Sequence, residues 1–189
     1  MRQWVSFLAI VLCCTAGRPI SSIINQPFPE MQAETVDDEV INLPKDTKGR
    51  ITLVGLAYSK KSEKDLNSWM SPVYNTFISQ KMNPGSGGLF SSFVYDIDVY
   101  LVPMFTGVKA AAAGTAKRKA AKNLDQRLLP YILFYQGKLK PYKEALDFEK
   151  KDVPYFFLLD QTGKIVYATS GAYSERKMDG ITGAIDELE

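Results

Sequence analysis

Histidine is absent from the 189 residues of this chain, and cysteine occurs only twice, at Cys13 and Cys14. Both cysteines lie in an apolar N-terminal stretch with the features of a cleavable leader. The processed chain is therefore expected to contain no thiol, no imidazole and no disulfide. This composition excludes thiol–disulfide exchange, peroxidatic cysteine chemistry, Ser-His and Cys-His catalysis, and metal sites built from histidine or cysteine. We predict no catalytic residue, no metal site and no cofactor, and we expect that the protein is not an enzyme.

A large net charge of either sign is also missing. The chain has 23 Lys and Arg residues against 21 Asp and Glu residues, a net charge of +2, so overall charge selects no partner. The sequence contains no Gly-rich phosphate loop, no nucleic-acid recognition motif and no basic patch interleaved with aromatic residues. Nucleic acid is therefore not predicted as a partner.

Residues 1–17 are predicted to be a signal peptide. Arg2 provides a minimal positive charge, residues 4–12 form a short apolar run, and small residues follow where signal peptidase cleaves. The apolar run is too short to span a bilayer as a helix. We therefore expect export to the periplasm or cell envelope. A lipoprotein modified at Cys13 or Cys14 is the second interpretation, because the residues before these cysteines fit a lipobox poorly.

Residues 18–26 are predicted to be a proline-containing linker, and residues 27–189 to be a single domain. Within the domain, apolar runs bounded by turn residues predict strands, and apolar residues spaced by three and four predict helices. The predicted strands cover 31–35, 39–43, 51–58, 93–104, 153–160 and 165–170, and the predicted helices cover 62–79, 108–127 and 175–188. The state of residues 128–135 is left open, and residues 136–142 are predicted to be a turn-rich connector.

A four-residue turn, Ser-Lys-Lys-Ser at residues 59–62, joins the first core strand to the first helix. We predict that Ser62 is the N-cap of this helix, that Asp65 completes a capping box, and that Pro72 kinks the helix. Ser59 and Ser62 could also form an anion site at the helix N-terminus. Because no base exists to activate either hydroxyl, simple roles as turn and cap residues are favoured.

Two longer segments resemble the thioredoxin superfamily. Residues 153–171 (VPYFFLLDQTGKIVYATSG) are similar to its proline-strand-turn-strand segment, and residues 27–59 resemble the start of peroxiredoxin and thiol-disulfide carrier domains. The resemblance implies an α/β, thioredoxin-like three-layer fold with a mixed central sheet, an N-terminal β-hairpin extension and an inserted helix. It also implies that Ser59 and Ser62 stand where relatives carry Cys-x-x-Cys, and that a cis peptide bond precedes Pro154.

Within this superfamily the chain resembles the family of the mitochondrial ATP synthase assembly factor, a thioredoxin-like protein without the redox pair. Ser68, Trp69, Pro72 and the strand at 153–160 carry this resemblance. It implies a redox-inactive protein that binds a polypeptide or an assembly partner. The leader and the inserted helix at 108–127 favour a bacterial relative, so the role in ATP synthase assembly is not carried over.

The partner-binding surface is predicted where the 59–62 turn faces the proline loop, because related proteins receive extended peptide in this groove. Core packing is nevertheless the favoured role for Trp69. The predicted surface comprises Tyr58, Ser59, Lys60, Trp69, Val153, Pro154 and Tyr155.

Two other functions remain as alternatives. The helix at 108–127 is strongly basic, so it could contact anionic lipid or an acidic protein near a membrane, although a solvated helix face explains it equally well. An oxidoreductase function would follow from the fold alone, and the missing thiols argue against it. The basic residues of this helix are Lys109, Lys117, Arg118, Lys119 and Lys122.

Overall fold

The computed structural model describes residues 20–79 and 95–188. The predicted signal peptide, the glycine-rich break at 83–88 and the predicted strand start at Phe93 lie outside these residues. Across the described part of the chain, no helix combines the length and the apolar character that a membrane span needs.

A small antiparallel hairpin precedes the main sheet, as predicted. Its strands are β1 (Met31–Glu34) and β2 (Val40–Leu43), which pair from Met31 opposite Leu43 to Glu34 opposite Val40. Met31, Ala33 and Leu43 are buried, so alternate residues of the hairpin pack onto the domain.

A five-stranded mixed sheet forms the centre of the domain. β3 pairs in parallel with β4 and antiparallel with β6, while β5 and β7 complete the two edges. All seven residues of β3 are buried, which explains its continuous apolar sequence. The strands are β3 (Ile51–Ala57), β4 (Ile97–Thr106), β5 (Tyr135–Gly137), β6 (Tyr155–Leu159) and β7 (Ile165–Ser170), in the order β5-β4-β3-β6-β7.

Helices complete the three layers of the predicted α/β fold. Helix α1 (Lys60–Val73) continues as a π-helical turn at Tyr74–Ile78 and packs with the last helix on one face of the sheet. The hairpin and a short helix after β5 cover the other face. The remaining helices are α2 (Ala113–Asn123), α3 (Lys140–Ala145) and α4 (Glu175–Asp186).

The long helix predicted at 108–127 is three separate pieces. A 3₁₀ helix at Gly107–Ala112 precedes α2, and a second 3₁₀ helix follows at Gln126–Tyr131. The backbone becomes extended at Leu124, and the Asp125 carboxylate accepts a hydrogen bond from the Arg127 N–H at 3.0 Å. A new N-cap at Asp125 therefore ends the continuous helix.

Three further predictions were wrong. The connector at 136–142 contains the end of β5 and the start of α3, both too short to show a clear period in the sequence. Strand β4 runs to Thr106 rather than to Met104. The helix predicted to reach residue 188 ends at Asp186, and Leu188 beyond it is 36% exposed.

Helix α2 is attached to the hairpin by a buried lysine. The Lys117 ammonium contacts the Glu34 carboxylate at 2.5 Å and the Asp38 carboxylate at 2.6 Å. Burial alone would lower the pKa of Lys117, but the hydrogen bonds to Asp38 and Glu34 outweigh burial and raise this pKa. Lys117 is therefore a charged structural residue rather than part of a free basic face.

Candidate functional site

The two serines of the 59–62 turn form a reciprocal cap on α1. Ser59 is the N-cap, and its side-chain oxygen accepts a hydrogen bond from the Ser62 N–H at 3.1 Å. The Ser62 oxygen accepts in return from the Ser59 N–H at 2.8 Å. The predicted capping box was therefore misplaced by three residues, because α1 begins at Lys60 and Ser62 lies inside it.

The hydrogen-bonding capacity of Ser62 is fully used. Its oxygen also accepts from the Tyr58 N–H at 3.1 Å, and its hydroxyl donates to the Ser59 carbonyl at 2.9 Å. A hydroxyl has one donor and two acceptor positions, and these three bonds fill them. The Ser59 hydroxyl therefore donates elsewhere, to the Asp152 carboxylate at 3.0 Å.

Asp152 was not singled out in the sequence, although it directly precedes the predicted proline segment. It belongs to the loop before β6, which lies beside the end of β3 because Leu56 pairs with Tyr155. Its carboxylate is the group that ties this loop to the 59–62 turn. The predicted meeting of the two loops is thus present in the structure.

A stack of three aromatic rings packs beneath the loop that precedes β6. The Phe148 ring lies between Tyr58 and Tyr155, with ring centroids 5.3 Å and 4.6 Å apart. Both tyrosine hydroxyls donate to the Lys150 carbonyl at 3.1 Å, and Tyr155 also accepts from the Lys150 N–H. Burial, together with nearby Tyr155 and Asp152, raises the pKa of Tyr58 to about 12, so this hydroxyl remains a donor at neutral pH.

Burial divides the seven predicted surface residues into two groups. The side chain of Lys60 is exposed and Val153 is half-buried. The other five are buried, so their side chains support the surface from beneath. These five are Tyr58, Ser59, Trp69, Pro154 and Tyr155.

Trp69 packs in the core, as favoured from the sequence. Its ring lies 4.1 Å from that of Phe156 and meets Tyr173 edge-on at 5.4 Å. The indole N–H donates to the Gly171 carbonyl at 3.0 Å. Phe156 pairs across the sheet with Gly55, where an added Cβ would lie 2.6 Å from the Phe156 ring. Glycine at this position therefore allows the ring to sit beneath Trp69.

The predicted cis peptide bond before Pro154 is wrong. Among residues 20–79 and 95–188, the cis peptide bond is Leu43–Pro44. The Pro154 carbonyl accepts a hydrogen bond from the Gly171 N–H at 2.8 Å, which extends the pairing of β6 with β7. Position beside the 59–62 turn does not select the isomer, and trans is preferred by about 0.5–1 kcal/mol without a specific opposing contact.

Four exposed lysines surround the contact between Ser59 and Asp152. Two are the first residues of α1 and two belong to the loop before β6, and none forms an ion pair with another described residue. No hydrogen bond within the described residues occupies the backbone of Val153. We call this surface the lysine edge, and it comprises Lys60, Lys61, Lys150, Lys151 and the Val153 backbone.

Replacing Tyr155 with alanine is expected to lower the free energy of unfolding by about 3–5 kcal/mol, because it opens a cavity beneath this edge. Tyr155 is 3% exposed, so the substitution removes core packing rather than a surface contact. Tyr155→Phe, the matched control, retains the ring and is expected to cost about 1 kcal/mol for the lost hydrogen bonds. Chemical denaturation followed by circular dichroism measures both, and equal costs for the two variants would contradict the cavity argument.

Within the described ranges, no group of three or more carboxylates is placed to hold an ion.

A family model described as ATP10 protein matches residues 25–188. The chain belongs to the ATP10 protein family. The match covers both strands of the hairpin, the 59–62 turn and the loop before β6. Family membership confirms the resemblance inferred from Ser68, Trp69, Pro72 and the strand at 153–160. In a search of curated proteins by sequence, none matched this ATP10-family chain.

Solved structures confirm the thioredoxin-like fold of the ATP10-family chain. BsSco, a member of the Sco family of cytochrome c oxidase assembly proteins, matches with a TM-score of 0.55 and 13% identity over 87% of this chain and 96% of that one. A SCO1/SenC family lipoprotein from Bacillus anthracis matches with a TM-score of 0.55 and 16% identity over 87% and 95%. A protein from Chlorobium tepidum assigned as thiol:disulfide interchange protein DsbE matches with a TM-score of 0.54 and 14% identity over 86% and 97%.

Proposed function

We propose that the protein is an exported, redox-inactive thioredoxin-fold protein that binds a polypeptide partner during assembly of a larger complex. The observation that carries this proposal is the reciprocal cap of Ser59 and Ser62. The resemblance places these two serines where relatives carry a redox pair, and here they hydrogen-bond to each other and stabilise a helix start. Neither residue has a thiol, and the Ser59 hydroxyl is held by the Asp152 carboxylate of the loop before β6. Membership of the ATP10 protein family and the likeness to assembly proteins of the Sco family support the assembly role.

The partner contacts the lysine edge in this proposal. Lys60 and Lys151 provide positive charge, and the backbone of Val153 can pair with an extended chain as an added strand would. The buried residues Tyr58 and Tyr155 fix the position of this backbone through Lys150. If the partner carries acidic groups, the lysines would mainly speed its association and orient it, and would add less to the binding affinity.

The basic helix offers a weaker surface for the alternative membrane role. Lys117 is 7% exposed and paired with Glu34 and Asp38, so it cannot contact lipid. Burial raises the pKa of Glu63, and Lys109 lies close enough to that carboxyl to oppose the rise. The charge of Lys109 therefore lies near α1.

Two assays test the absence of redox chemistry. The processed chain is expected to show background rates in insulin reduction and in peroxide consumption. Activity above background that disappears in Ser59→Ala or Ser62→Ala would overturn the proposal of redox inactivity.

The double variant Ser59→Cys/Ser62→Cys is expected to form a reducible disulfide. The two side-chain oxygens lie 3.2 Å apart, and the helix N-terminus lowers the pKa of the first thiol. Alkylation and mass measurement before and after reduction detect the bond, with Ser59→Cys alone as the control. Two free thiols under oxidising conditions would show that the turn does not have the geometry of a redox turn.

Photo-crosslinking in the native host tests the partner surface. A photoreactive residue at Lys60 or Lys151 is expected to form an adduct with one polypeptide, which mass spectrometry identifies. Lys164 provides the control because it is exposed in the β6–β7 turn, at the opposite end of the sheet. Equal adducts from all three positions, or adducts from Lys164 alone, would remove the lysine edge from the proposal.

A further inference from the structure

An apolar cleft of about 380 Å³ lies between α1 and α2, next to the lysine edge. Its floor is formed by one face of β4 and by the residues that lead into β5. Met70, Pro103 and Phe105 are half-buried, so they leave apolar surface accessible.

The two walls of the cleft are helix faces with the same spacing. From α1, residues 63, 66, 67 and 70 line the cleft, and from α2, residues 116, 119, 120 and 123 do so. Both sets follow the i, i+3, i+4, i+7 pattern of one helix face, which extends for about two turns. Small side chains at Ala116 and Ala120 let a third backbone approach α2 closely. The shape therefore suits a helix lying between two helices, a recurring mode of peptide recognition.

Positively charged side chains outnumber negatively charged ones at the cleft. Lys119 lines the cleft, while Lys60 and Lys109 lie close enough to Glu63 to affect its ionisation. Burial raises the pKa of Glu63, and the two lysines oppose this shift. None of the three lysines forms an ion pair with another described residue. With three lysines and one carboxylate, the cleft and its border carry a net positive charge that attracts a negatively charged partner.

We infer that this cleft binds an amphipathic helix of the partner polypeptide, with apolar side chains on the floor and acidic residues facing Lys60, Lys109 and Lys119. The inference rests on the proposed function, because it names the kind of segment that the partner contributes. The cleft lies between α1 and α2, whereas the lysine edge lies where the start of α1 meets the loop before β6.

The shape of the cleft favours a helix over a small amphiphilic ligand such as a fatty acid. Sites for small ligands enclose most of the ligand surface, whereas this cleft is only partly enclosed. A helix of the partner carries its own backbone hydrogen bonds, so only its apolar face needs to be covered. The experiment below includes a fatty acid so that this distinction is tested directly.

Synthetic peptides provide the probes. The first is a fluorescent amphipathic peptide of roughly 18 residues, about five helical turns, with a leucine face and a glutamate face. The second has the same leucine face with lysine in place of glutamate, and the third scrambles the first. Fluorescence anisotropy with the processed chain is expected to show binding of the acidic peptide at least about tenfold tighter than of either control, and weaker binding as salt rises.

Variants of α2 locate the binding. Ala116→Trp fills the cleft and is expected to weaken acidic-peptide binding about tenfold, while Ala121→Trp on the exposed side of the same helix is expected to leave binding unchanged. Lys119→Glu is expected to weaken binding about tenfold at low salt, and Lys122→Glu, with the same change in net charge, much less. Lys119 is exposed, so this pair decides the question even if Ala116→Trp unfolds the chain.

Several results would overturn the inference. Equal binding of the acidic, basic and scrambled peptides, equal losses in Lys119→Glu and Lys122→Glu, or displacement of the peptide by dodecanoate would each do so. The proposed function is tested separately by crosslinking at Lys151, which belongs to the lysine edge and is not among the residues placed at the cleft. If Lys151 adducts form in the host while no peptide depends on Ala116 or Lys119, the cleft inference fails and the proposed function stands.

Discussion

Replacing Ser62 with alanine is expected to lower the free energy of unfolding by about 3 kcal/mol. The Ser62 side chain is fully buried, and its oxygen is the acceptor for the N–H groups of Tyr58 and Ser59. Without the hydroxyl, two donors at the junction of β3 and α1 lose their partner, and each buried unsatisfied group costs about 1–3 kcal/mol. Urea denaturation followed by circular dichroism measures the change.

Ser71→Ala is the matched control for Ser62→Ala. Ser71 lies in the same helix and is exposed, so its replacement is expected to change stability by less than about 0.5 kcal/mol. A Ser62→Ala cost no larger than that of Ser71→Ala would mean that water or a backbone shift satisfies the two N–H groups. The cap would then not explain why serine occupies this position.

The second large effect is expected at Trp69, where Trp69→Ala should lower the free energy of unfolding by about 3–5 kcal/mol. The side chain has no exposed surface and packs on Phe156 and Tyr173. Its N–H bond to the Gly171 carbonyl joins α1 to the end of β7. Because the variant lacks the one tryptophan outside the predicted signal peptide, unfolding is followed by circular dichroism rather than by fluorescence.

Trp69→Phe separates the two contributions of this residue. It keeps an aromatic ring over Phe156 but removes the hydrogen bond and part of the volume, so a smaller loss of about 1–3 kcal/mol is expected. A loss for Trp69→Phe as large as that for Trp69→Ala would assign most of the effect to the bond with Gly171 rather than to packing.

Local patterns in the sequence were sufficient to predict most strands of the sheet. β3 is a continuous apolar run, and β6 and β7 flank a Gly-containing turn at 161–164, so each element is specified by its own residues. Helix α4 followed from Met178, Ile181 and Ile185, all of which are buried. Together with the resemblance to thioredoxin-like proteins, these elements predicted the layers and the mixed sheet.

The details of the site depended on contacts that the sequence does not display. Ser59 and Ser62 are both suitable N-caps, and the Ser59 hydroxyl bonds to Asp152, 93 positions away, a contact that no local pattern shows. The burial of Tyr58 and Tyr155 likewise depends on Phe148, which lies in no predicted element. The cis or trans state of the Val153–Pro154 peptide bond also depends on contacts with residues that are distant in the sequence.

The cleft was missed because its two walls were assigned other roles. Residues 116, 119, 120 and 123 belong to a helix whose lysines suggested a membrane surface or a solvated face. Only the docking of α2 beside α1 shows that Lys117 points inward, to Glu34, while Lys119 lines the cleft. Periodicity can identify a helix face, but not the neighbour that the face will meet.

The bond network of Lys117 also has a consequence for motion. Helix α2 lies outside the sheet, and Lys117 connects it to the hairpin at Glu34 and Asp38. Separating α2 from the domain would break both contacts of the buried Lys117 ammonium at once, so we expect α2 and the hairpin to open together as one cooperative unit. In hydrogen exchange, the amides of α2 are then expected to show the same opening free energy as those of β1. The hairpin of β1 and β2 therefore helps to hold α2 in position, and with it the width of the cleft between α1 and α2.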